Sequence, residues 1–467
     1  MNPIEIIAAL LAIALVIFML IKKAGIKLTL FGTGLVLLYL AVASGAELVE
    51  KTPTWIQPFQ IIVNAFSDLL SGSGLVILLL GGYAAYMNRI GANAATVDLL
   101  TRPLKRITSP WILVPFVFLI GNVLSIVVPS ASNLAIILLA TLYPVLRAAG
   151  LSVLSSAGVI ATTATIMPTP LGADNVAIST ELATHPEFSS LTVTSYVFGQ
   201  MAPIAIPTLL VMALAHFFWQ KFMDQRDIKR GYVSPENAQN ESKDLPTFTN
   251  AGVRTLYALL PLLPIILLII SYSTTNILGL RFSLSVQIAV LICWLIAMLI
   301  DFAVHRDGLD FMNRAGMFFT GMGTSFDIVA LLVAATVFVK GISGVGVISS
   351  LQSAMENTSV AGWVLPLILV AFTALIVLVS GSGVALFYAM VPLMFGLATA
   401  AGINAFAVTV PMGMAGNLLR ACSPVAAVVV IVAGATGESP LNIVKRTWFP
   451  MVVGLVTMFT LAMVRYM

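Results

Sequence analysis

Apolar runs of about twenty residues recur along almost the whole chain, and a run of that length forms a helix that spans the ~30 Å hydrocarbon core of a bilayer. Of the 467 residues, 59% are hydrophobic and only 9% are charged, which is too little charge to cover the surface of a soluble protein. The sequence does not show the short alternating strands that build membrane barrels. We therefore predict an all-α polytopic membrane protein.

The apolar runs predict about ten transmembrane helices. We place these helices at residues 4–22, 27–46, 57–88, 153–180, 192–219, 253–271, 283–302, 315–340, 404–434 and 447–466. Two further apolar stretches, 111–149 and 363–400, are interrupted near their middle by small polar residues. Each of these two stretches fits either two full spans or one re-entrant hairpin with a polar tip.

The basic residues favour the hairpins. With two hairpins and an N-terminus outside, most of the 23 Lys and Arg residues lie on the cytoplasmic side, as expected for a bacterial inner-membrane protein. The exceptions are Lys51, Arg281, Lys340 and Arg465, together with Arg420 inside a span. We therefore expect both termini to be periplasmic. The net charge of +4 is explained by cytoplasmic loops, so we expect no nucleic-acid partner.

The two halves of the chain follow the same pattern in opposite orientations. Aligning Ile90 with Ile342 also aligns Trp111 with Trp363, and it superposes the predicted spans that come before them. The predicted organisation is a first inverted repeat, a cytoplasmic linker and a second inverted repeat, at 1–220, 221–250 and 251–467. Inverted repeats that contain broken helices are typical of secondary transporters with a binding site near the membrane midplane.

Four breaks within apolar segments are rich in glycine, proline or small polar residues. Two are the hairpin tips, 129–133 and 380–383, and two lie in the helices 153–180 and 404–434, at 167–175 and 411–420. Irregular backbone at membrane depth is tolerated only where it is buried in protein or lines a cavity, and its free N–H groups can hold carboxylates. The candidate substrate-binding residues are Ser130, Ser132, Asn133, Thr169, Asn175, Ser380, Ser382, Gly383, Asn417, Arg420 and Ser423. Small residues also serve close helix packing, so that role stays open for the tips.

Two charged residues fall within these breaks. An intramembrane guanidinium is costly, and its planar fork suits a carboxylate, so Arg420 indicates an anionic substrate; a structural arginine at a helix C-terminus is the alternative. Asp174 is the only acidic residue of the segment 153–180. It could carry a coupling proton, bind a coupling cation such as Na⁺, or form a structural ion pair with Arg420. The scattered His and Cys residues predict neither a metal site nor another cofactor.

Several stretches resemble the DcuC-type anaerobic C4-dicarboxylate carriers, a family within the ion transporter superfamily of elevator-like carriers with paired hairpins. The resemblance runs over nearly the whole chain. The stretches that carry it lie at 82–87, 90–93, 331–335, 381–383, 387–389, 417–420, 423–424 and 444–447.

This resemblance implies efflux of succinate, or exchange of succinate for fumarate, in anaerobically growing bacteria. It also implies a homodimer and slightly favours coupling to H⁺ or to exchange over Na⁺. By position, the implied substrate and ion sites are Ser132, Asn133, Asp174, Ser382, Gly383, Asn417 and Arg420. The alternative is a carrier of another small carboxylate or an amino acid. A channel is less favoured because no repeated selectivity filter is present, and the sequence lacks the nucleophile–base pairs or metal-ligand clusters of an enzyme.

Overall fold

The computed structural model describes residues 3–22, 25–107, 109–232, 250–276, 284–347 and 362–467. Within these ranges the chain forms α-helices, short 3₁₀ or π turns and connecting loops, with no β-strand. Large apolar side chains cover much of the outer surface; Leu28, Leu299 and Val464, for example, are at least 70% exposed. This surface suits lipid rather than water, so the all-α polytopic prediction is confirmed.

The first half contains eleven helices in its described part. They are α1 (Pro3–Ile21), α2 (Ile26–Ala43), α3 (Gln57–Ser71), α4 (Ser73–Arg89), α5 (Ala92–Thr101), α6 (Pro110–Leu124), α7 (Ala131–Thr141), α8 (Tyr143–Ala148), α9 (Val153–Ala161), α10 (Ala173–Ala183) and α11 (Val193–Lys229). A π-helical turn at Tyr196–Met201 interrupts the regular winding of α11.

The second half contributes nine helices in the residues that are described. They are α12 (Ala251–Leu259), α13 (Leu263–Asn276), α14 (Val286–His305), α15 (Gly308–Gly344), α16 (Val364–Ser380), α17 (Val384–Ala400), α18 (Ala405–Leu419), α19 (Ala427–Thr436) and α20 (Pro440–Tyr466). A short 3₁₀ turn, Leu260–Leu262, joins α12 to α13.

Seven helical segments among the described residues are long and apolar enough to cross a membrane. The count is eight if α3 and α4 form one span, and these two helices are bent by 48° at Gly72. The predicted span at 57–88 is therefore a bent pair. The difference from the predicted ten corresponds to α1 and to the α9–α10 segment, whose two helices are separated by eleven non-helical residues, 162–172.

Glycines bring the long helix α15 into close contact with α2 and α4. A Cβ atom on Gly34 would lie 2.6 Å from the backbone nitrogen of Phe338, and one on Gly81 would lie 1.7 Å from the Ser325 hydroxyl. Small residues at such crossings let helix backbones approach closely inside a membrane. The three helices therefore form a tightly packed support beside the cavity described below.

Each half ends with the same order of elements. A helical hairpin (α6 with α7–α8, and α16 with α17) is followed by a broken helix (α9–α10, and α18–α19) and then by a long helix (α11, and α20). This order agrees with the predicted hairpins and broken helices, while the opposite orientation of the two halves stays a prediction.

The interruption of the second broken helix lies later in the chain than predicted. α18 continues through Pro411 to Leu419, and the interruption covers Arg420 to Ala426. Ser423 precedes Pro424 and has an extended backbone (φ −96°, ψ 123°), as expected because a following proline disfavours helical geometry. In the first broken helix, Met167 and Thr169 likewise precede prolines within the predicted break.

The predicted linker 221–250 begins as helix, because α11 continues to Lys229. Nothing between residues 221 and 229 breaks a helix, and Gly231, with φ +67°, supplies the left-handed residue that commonly ends one. Residues 233–249 of the predicted linker lie outside the described residues, as does Arg281.

Candidate functional site

The two broken helices, the tips of both hairpins and the helices α4 and α15 line a cavity of about 330 Å³. This larger cavity is within the usual range for small-molecule sites, roughly 300–1,000 Å³. A smaller cavity of about 90 Å³ lies against the first break, and both cavities are lined by Asp174, Asn417 and Arg420. These three residues therefore define the centre of the candidate site.

Asp174 lies in the first turn of α10, directly after the break. Its Oδ1 accepts a hydrogen bond from the backbone N–H of Asn175 (2.9 Å), and its Oδ2 accepts one from Nδ2 of Asn417 (2.9 Å). A carboxylate at a helix N-terminus is stabilised by the helix dipole. The bond to Asn417 connects the first broken helix to the second.

Arg420 is the first residue of the second break. Its Nη2 donates to the carbonyl oxygen of Ala164 (2.6 Å), a residue of the first break. No ion pair within 4 Å joins Arg420 to Asp174 in the described chain, although both side chains line both cavities. The structural ion pair, one of the three alternatives for Asp174, is therefore not formed, and N–H groups of the guanidinium other than the one bonded to Ala164 are available to a ligand.

Asn122, from the first hairpin arm α6, fixes the shape of the first break. This side chain is fully buried. Its Oδ1 accepts from the backbone N–H (3.0 Å) and the hydroxyl (2.7 Å) of Thr165, and its Nδ2 donates to the carbonyl of Thr162 (3.3 Å). These bonds satisfy backbone groups that lost their helical partners, which a buried break requires. Asn122 thereby positions the segment that carries Ala164.

The second hairpin tip packs directly on the second broken helix. A Cβ atom on Gly381 would lie 2.8 Å from the backbone nitrogen of Ala426, and one on Gly383 would lie 3.0 Å from Cα of Gly416. Gly381 also has φ +77°, which favours glycine. The start of α17 is therefore held against α18, and Gly383 and Val384 line the larger cavity.

The structure brings six of the predicted site residues to the cavities. Gly383 lines the larger cavity, Thr169 and Asn175 line the smaller one, and both are lined by Asp174, Asn417 and Arg420. Nδ2 of Asn175 donates to the carbonyl of Thr169 (2.9 Å), so this pair also shapes the break.

The predicted serines and Asn133 do not line these two cavities. Ser130 caps α7 by accepting from the backbone N–H of Asn133 (3.3 Å), and Ser132 lies in the first turn of that helix. Ser380 and Ser382 bond within their own tip. The Ser423 hydroxyl donates to the carbonyl of Leu378 (2.9 Å).

Tyr388 is the main cavity residue that was not among the predicted site residues. It lies on α17, is 4% exposed and lines the larger cavity. Its hydroxyl makes no hydrogen bond to the described part of the chain, unlike that of Tyr83, which donates to the carbonyl of Leu260 (2.6 Å). Its place one helical turn after the glycine-rich tip is a sequence signal that could have revealed it.

Among the described residues, no three His, Cys, Asp or Glu side chains are grouped as a metal site would require. The polar groups at the centre are one carboxylate, one amide and one guanidinium, with a phenol nearby. This set can hold a carboxylate or exchange a proton. It contains no nucleophile paired with a general base.

Broken helices and hairpin tips around a cavity at membrane depth are the architecture of a membrane carrier for small solutes. The chain belongs to the C4-dicarboxylate anaerobic carrier (DcuC) family, whose sequence model matches residues 4–467. It is 34% identical over 459 residues to the anaerobic C4-dicarboxylate transporter DcuC of Escherichia coli K12, covering 97% of this chain and 95% of that protein. A probable transporter of the same name from Vibrio cholerae is 33% identical over 450 residues, covering 95% and 93%.

Two solved structures share the fold at low sequence identity. The Alcanivorax borkumensis YdaH transporter is 16% identical with a TM-score of 0.65, and the match covers 94% of this chain and 98% of that one. Neisseria gonorrhoeae MtrF, described as an antimetabolite efflux pump, is 14% identical with a TM-score of 0.57, covering 94% and 95%. These likenesses support the membrane-transporter architecture.

Proposed function

We propose that the protein is a secondary active transporter of C4-dicarboxylates in the bacterial inner membrane, working by succinate efflux or by exchange of succinate for fumarate. The observation that carries this proposal is Arg420, which lines a cavity formed by two broken helices and bonds to protein only through the Ala164 carbonyl in the described chain. The relatives from Escherichia coli and Vibrio cholerae bear the names of C4-dicarboxylate transporters.

The cavity offers two positive regions for the two carboxylates of such a substrate. One is the guanidinium of Arg420, which can form a bidentate pair. The other is the N-terminus of α17 at Gly383 and Val384, which lines the same cavity and favours anions through its dipole and free N–H groups. The Tyr388 hydroxyl lies in the wall and can donate a further hydrogen bond.

Asp174 is proposed to couple transport to protons. When ionised, it lies beside the site where a dianion binds, so its negative charge opposes binding. Protonation removes that charge, while the neutral carboxyl can still bond to Asn417. A dicarboxylate and a proton then occupy the site together, which gives symport in either direction along the gradients.

Alternating access is proposed to follow an elevator-like mechanism with a homodimeric scaffold and periplasmic termini. The contacts that support it join the second hairpin tip to the second broken helix at Gly383 and Gly416 and the two broken helices to each other through Asp174 and Asn417. These elements are connected as one unit. The helices α2, α4 and α15 pack closely on one another beside this unit.

The direct test is uptake of labelled succinate by proteoliposomes loaded with succinate, fumarate, aspartate, lactate or buffer. We expect internal succinate and fumarate to stimulate uptake. Arg420→Ala should reduce the apparent affinity roughly 30-fold or more, because losing one partner of a buried charge pair costs about 2–5 kcal/mol. No uptake of labelled succinate by folded wild-type protein, whichever of these solutes is inside, would leave the carrier assignment intact and overturn the substrate.

A further inference from the structure

A third cavity, of about 390 Å³ and polar, lies away from the two cavities of the candidate substrate site. It is formed where the end of α11 meets the start of α20. Its lining consists of Leu154, Met223, Arg226, Asp227, Arg230, Gly231, Tyr232, Asn442, Lys445 and Arg446. Four of these side chains are cationic and one is a carboxylate. We call this the basic cavity.

Arg446 forms a rigid, ion-paired wall of the basic cavity. Its side chain is 1% exposed, and its Nη1 and Nη2 lie 2.6 Å and 2.7 Å from carboxylate oxygens of Asp224 and Asp227. Its Nε has no hydrogen-bond partner in the described chain. A buried donor without a partner is rare in native proteins. This nitrogen is enclosed by protein, so a ligand in the cavity would meet the exposed Arg230 and Lys445 first.

Within the described part of the chain, two of the four cations have no carboxylate partner. The ion pairs of the described residues include Arg446 with Asp224 and Asp227, and Arg226 with Asp227 (3.3 Å). Lys445 donates to a neutral acceptor, Oδ1 of Asn442 (3.1 Å), and Arg230 is exposed. A third carboxylate, Glu438, accepts from the Tyr232 hydroxyl (2.7 Å) beside the cavity. Against Asp224, Asp227 and Glu438, the four cations leave one net positive charge, which favours an anion.

Aromatic side chains place the basic cavity at the level of the lipid headgroups. Trp219 stacks on Phe449, with ring centroids 4.6 Å apart, and contacts Trp448 and Phe222. Phe222 and Trp448 are 55% and 43% exposed. Tryptophans concentrate at the membrane–water interface, and the indole N–H of Trp219 donates to the backbone carbonyl of Lys445 (3.1 Å). The aromatic cluster therefore directly adjoins the cationic residues.

We propose that the basic cavity binds the phosphate of an anionic phospholipid, with Arg230 and Lys445 as its principal contacts. The phosphate is an oxyanion that suits guanidinium and ammonium donors. The exposed rings of Phe222 and Trp448 contact the acyl chains below it. The position at the junction of α11 and α20 lets a bound lipid hold together the last helices of the two halves.

The test measures thermal unfolding of the purified full-length protein in detergent, titrated with phosphatidylglycerol, with phosphatidylcholine or with inorganic phosphate. We expect phosphatidylglycerol, and not phosphatidylcholine, to raise the unfolding midpoint. The double variant Arg230→Gln/Lys445→Gln should weaken the apparent affinity for phosphatidylglycerol about tenfold or more, since each basic residue near a lipid surface contributes to anionic-lipid binding. Both side chains lie outside the ion pairs of Arg446, so the variant should fold.

The matched control is Lys221→Gln/Lys229→Gln, which removes the same amount of charge, here from α11 alone, at positions that do not line the basic cavity. It should keep the wild-type affinity. Stabilisation by inorganic phosphate that is lost only in the Arg230/Lys445 variant would support the phosphate site and assign it to a soluble phosphate. Equal phosphatidylglycerol affinity in all three proteins, or no stabilisation of the wild type, would overturn the proposal.

Discussion

Arg420 and Asp174 show how two buried charges can be stabilised without being joined directly. Arg420 donates to a backbone carbonyl of the first break, and Asp174 accepts from the side chain of Asn417 in the second broken helix. Each charge therefore binds the opposite broken helix. A ligand can enter between them without first breaking an ion pair, which would be costly in a buried site.

Replacing Asp174 with Asn should separate exchange from proton coupling. The Asn side chain keeps one oxygen, which can accept from the Asn175 backbone, and the Asn417 amide can turn over so that its oxygen accepts from the new amide nitrogen. We expect exchange of labelled succinate for internal succinate to persist, while uptake driven by a pH gradient is lost. Proteoliposome flux with and without an imposed gradient makes the comparison. Gradient-driven uptake at the wild-type rate in the variant would exclude Asp174 as the proton carrier.

Replacing Tyr388 with Phe removes a hydroxyl that lines the larger cavity and makes no bond to the described chain. If the hydroxyl binds substrate, the apparent affinity for succinate should fall roughly two- to tenfold, because one hydrogen bond contributes about 0.5–1.5 kcal/mol. The thermal unfolding midpoint should not change. Substrate titration and a thermal melt of the same preparation measure both quantities.

Tyr83→Phe is the matched control, because the hydroxyl of Tyr83 lines the same cavity but already donates to the carbonyl of Leu260. This substitution leaves a buried acceptor without its partner. It should lower the free energy of unfolding by about 1 kcal/mol. If both variants lost the same stability and kept the same affinity, the binding role of Tyr388 would be rejected.

The sequence predicted the charged centre of the site better than its walls. Arg420 and Asp174 stand out because charges are rare in apolar spans. The serines at the hairpin tips are also polar residues within apolar segments. Ser130, Ser380 and Ser382, however, bond to their own turns. Short hydroxyl side chains readily bond to nearby backbone, and composition cannot distinguish that local use from ligand binding.

At the scale of helices, a proline alone does not decide where a helix breaks, because Val410 and Pro411 both stay helical. α18 passes through Pro411 and ends at Leu419. The extended residue Ser423, which precedes Pro424, follows within the break. Both motifs were visible in the sequence. Deciding between them requires knowing which backbone groups find other partners, and those partners come from distant segments. For the first break, the distant partner of these backbone groups is the Asn122 side chain.

The contact between the second hairpin tip and α18 can be tested by a substitution that adds one methyl group to the tip. A Cβ atom on Gly383 would lie 3.0 Å from Cα of Gly416 and 2.9 Å from a side-chain carbon of Val377. Gly383→Ala should therefore separate the tip from the helix and lower stability by roughly 1–3 kcal/mol, as overpacking does. We also expect the rate of succinate exchange to decrease, because Gly383 lines the cavity.

Gly434→Ala provides the control for this change. Gly434 lies in α19, and a Cβ atom there would meet nothing within 4 Å. It should keep wild-type exchange and gain a little stability from the better helix propensity of alanine. Thermal melts and exchange rates of both variants are compared with the wild type. Equal behaviour of the two alanine variants would show that the tip is not tightly packed on α18.

For the whole molecule, the inverted repeat predicts that the two hairpins enter the membrane from opposite sides. The end of the first hairpin, after α8, should be cytoplasmic, and the end of the second, after α17, should be periplasmic. Ala148 and Thr399 are exposed residues near these two ends. The native cysteines, Cys293 and Cys422, are buried, and their replacement by Ala provides a background for single cysteine labels.

With Ala148→Cys and Thr399→Cys in that background, a membrane-impermeant maleimide should label the two proteins in opposite vesicle preparations. Ala148→Cys should react in inside-out vesicles, and Thr399→Cys should react in right-side-out vesicles. The assignment follows from the basic residues, because Arg147 adjoins the first end and cytoplasmic loops are enriched in such residues. Labelling of both positions from the same side would exclude the inverted repeat. Transport of succinate by each cysteine variant, measured before labelling, ensures that the topology belongs to the active protein.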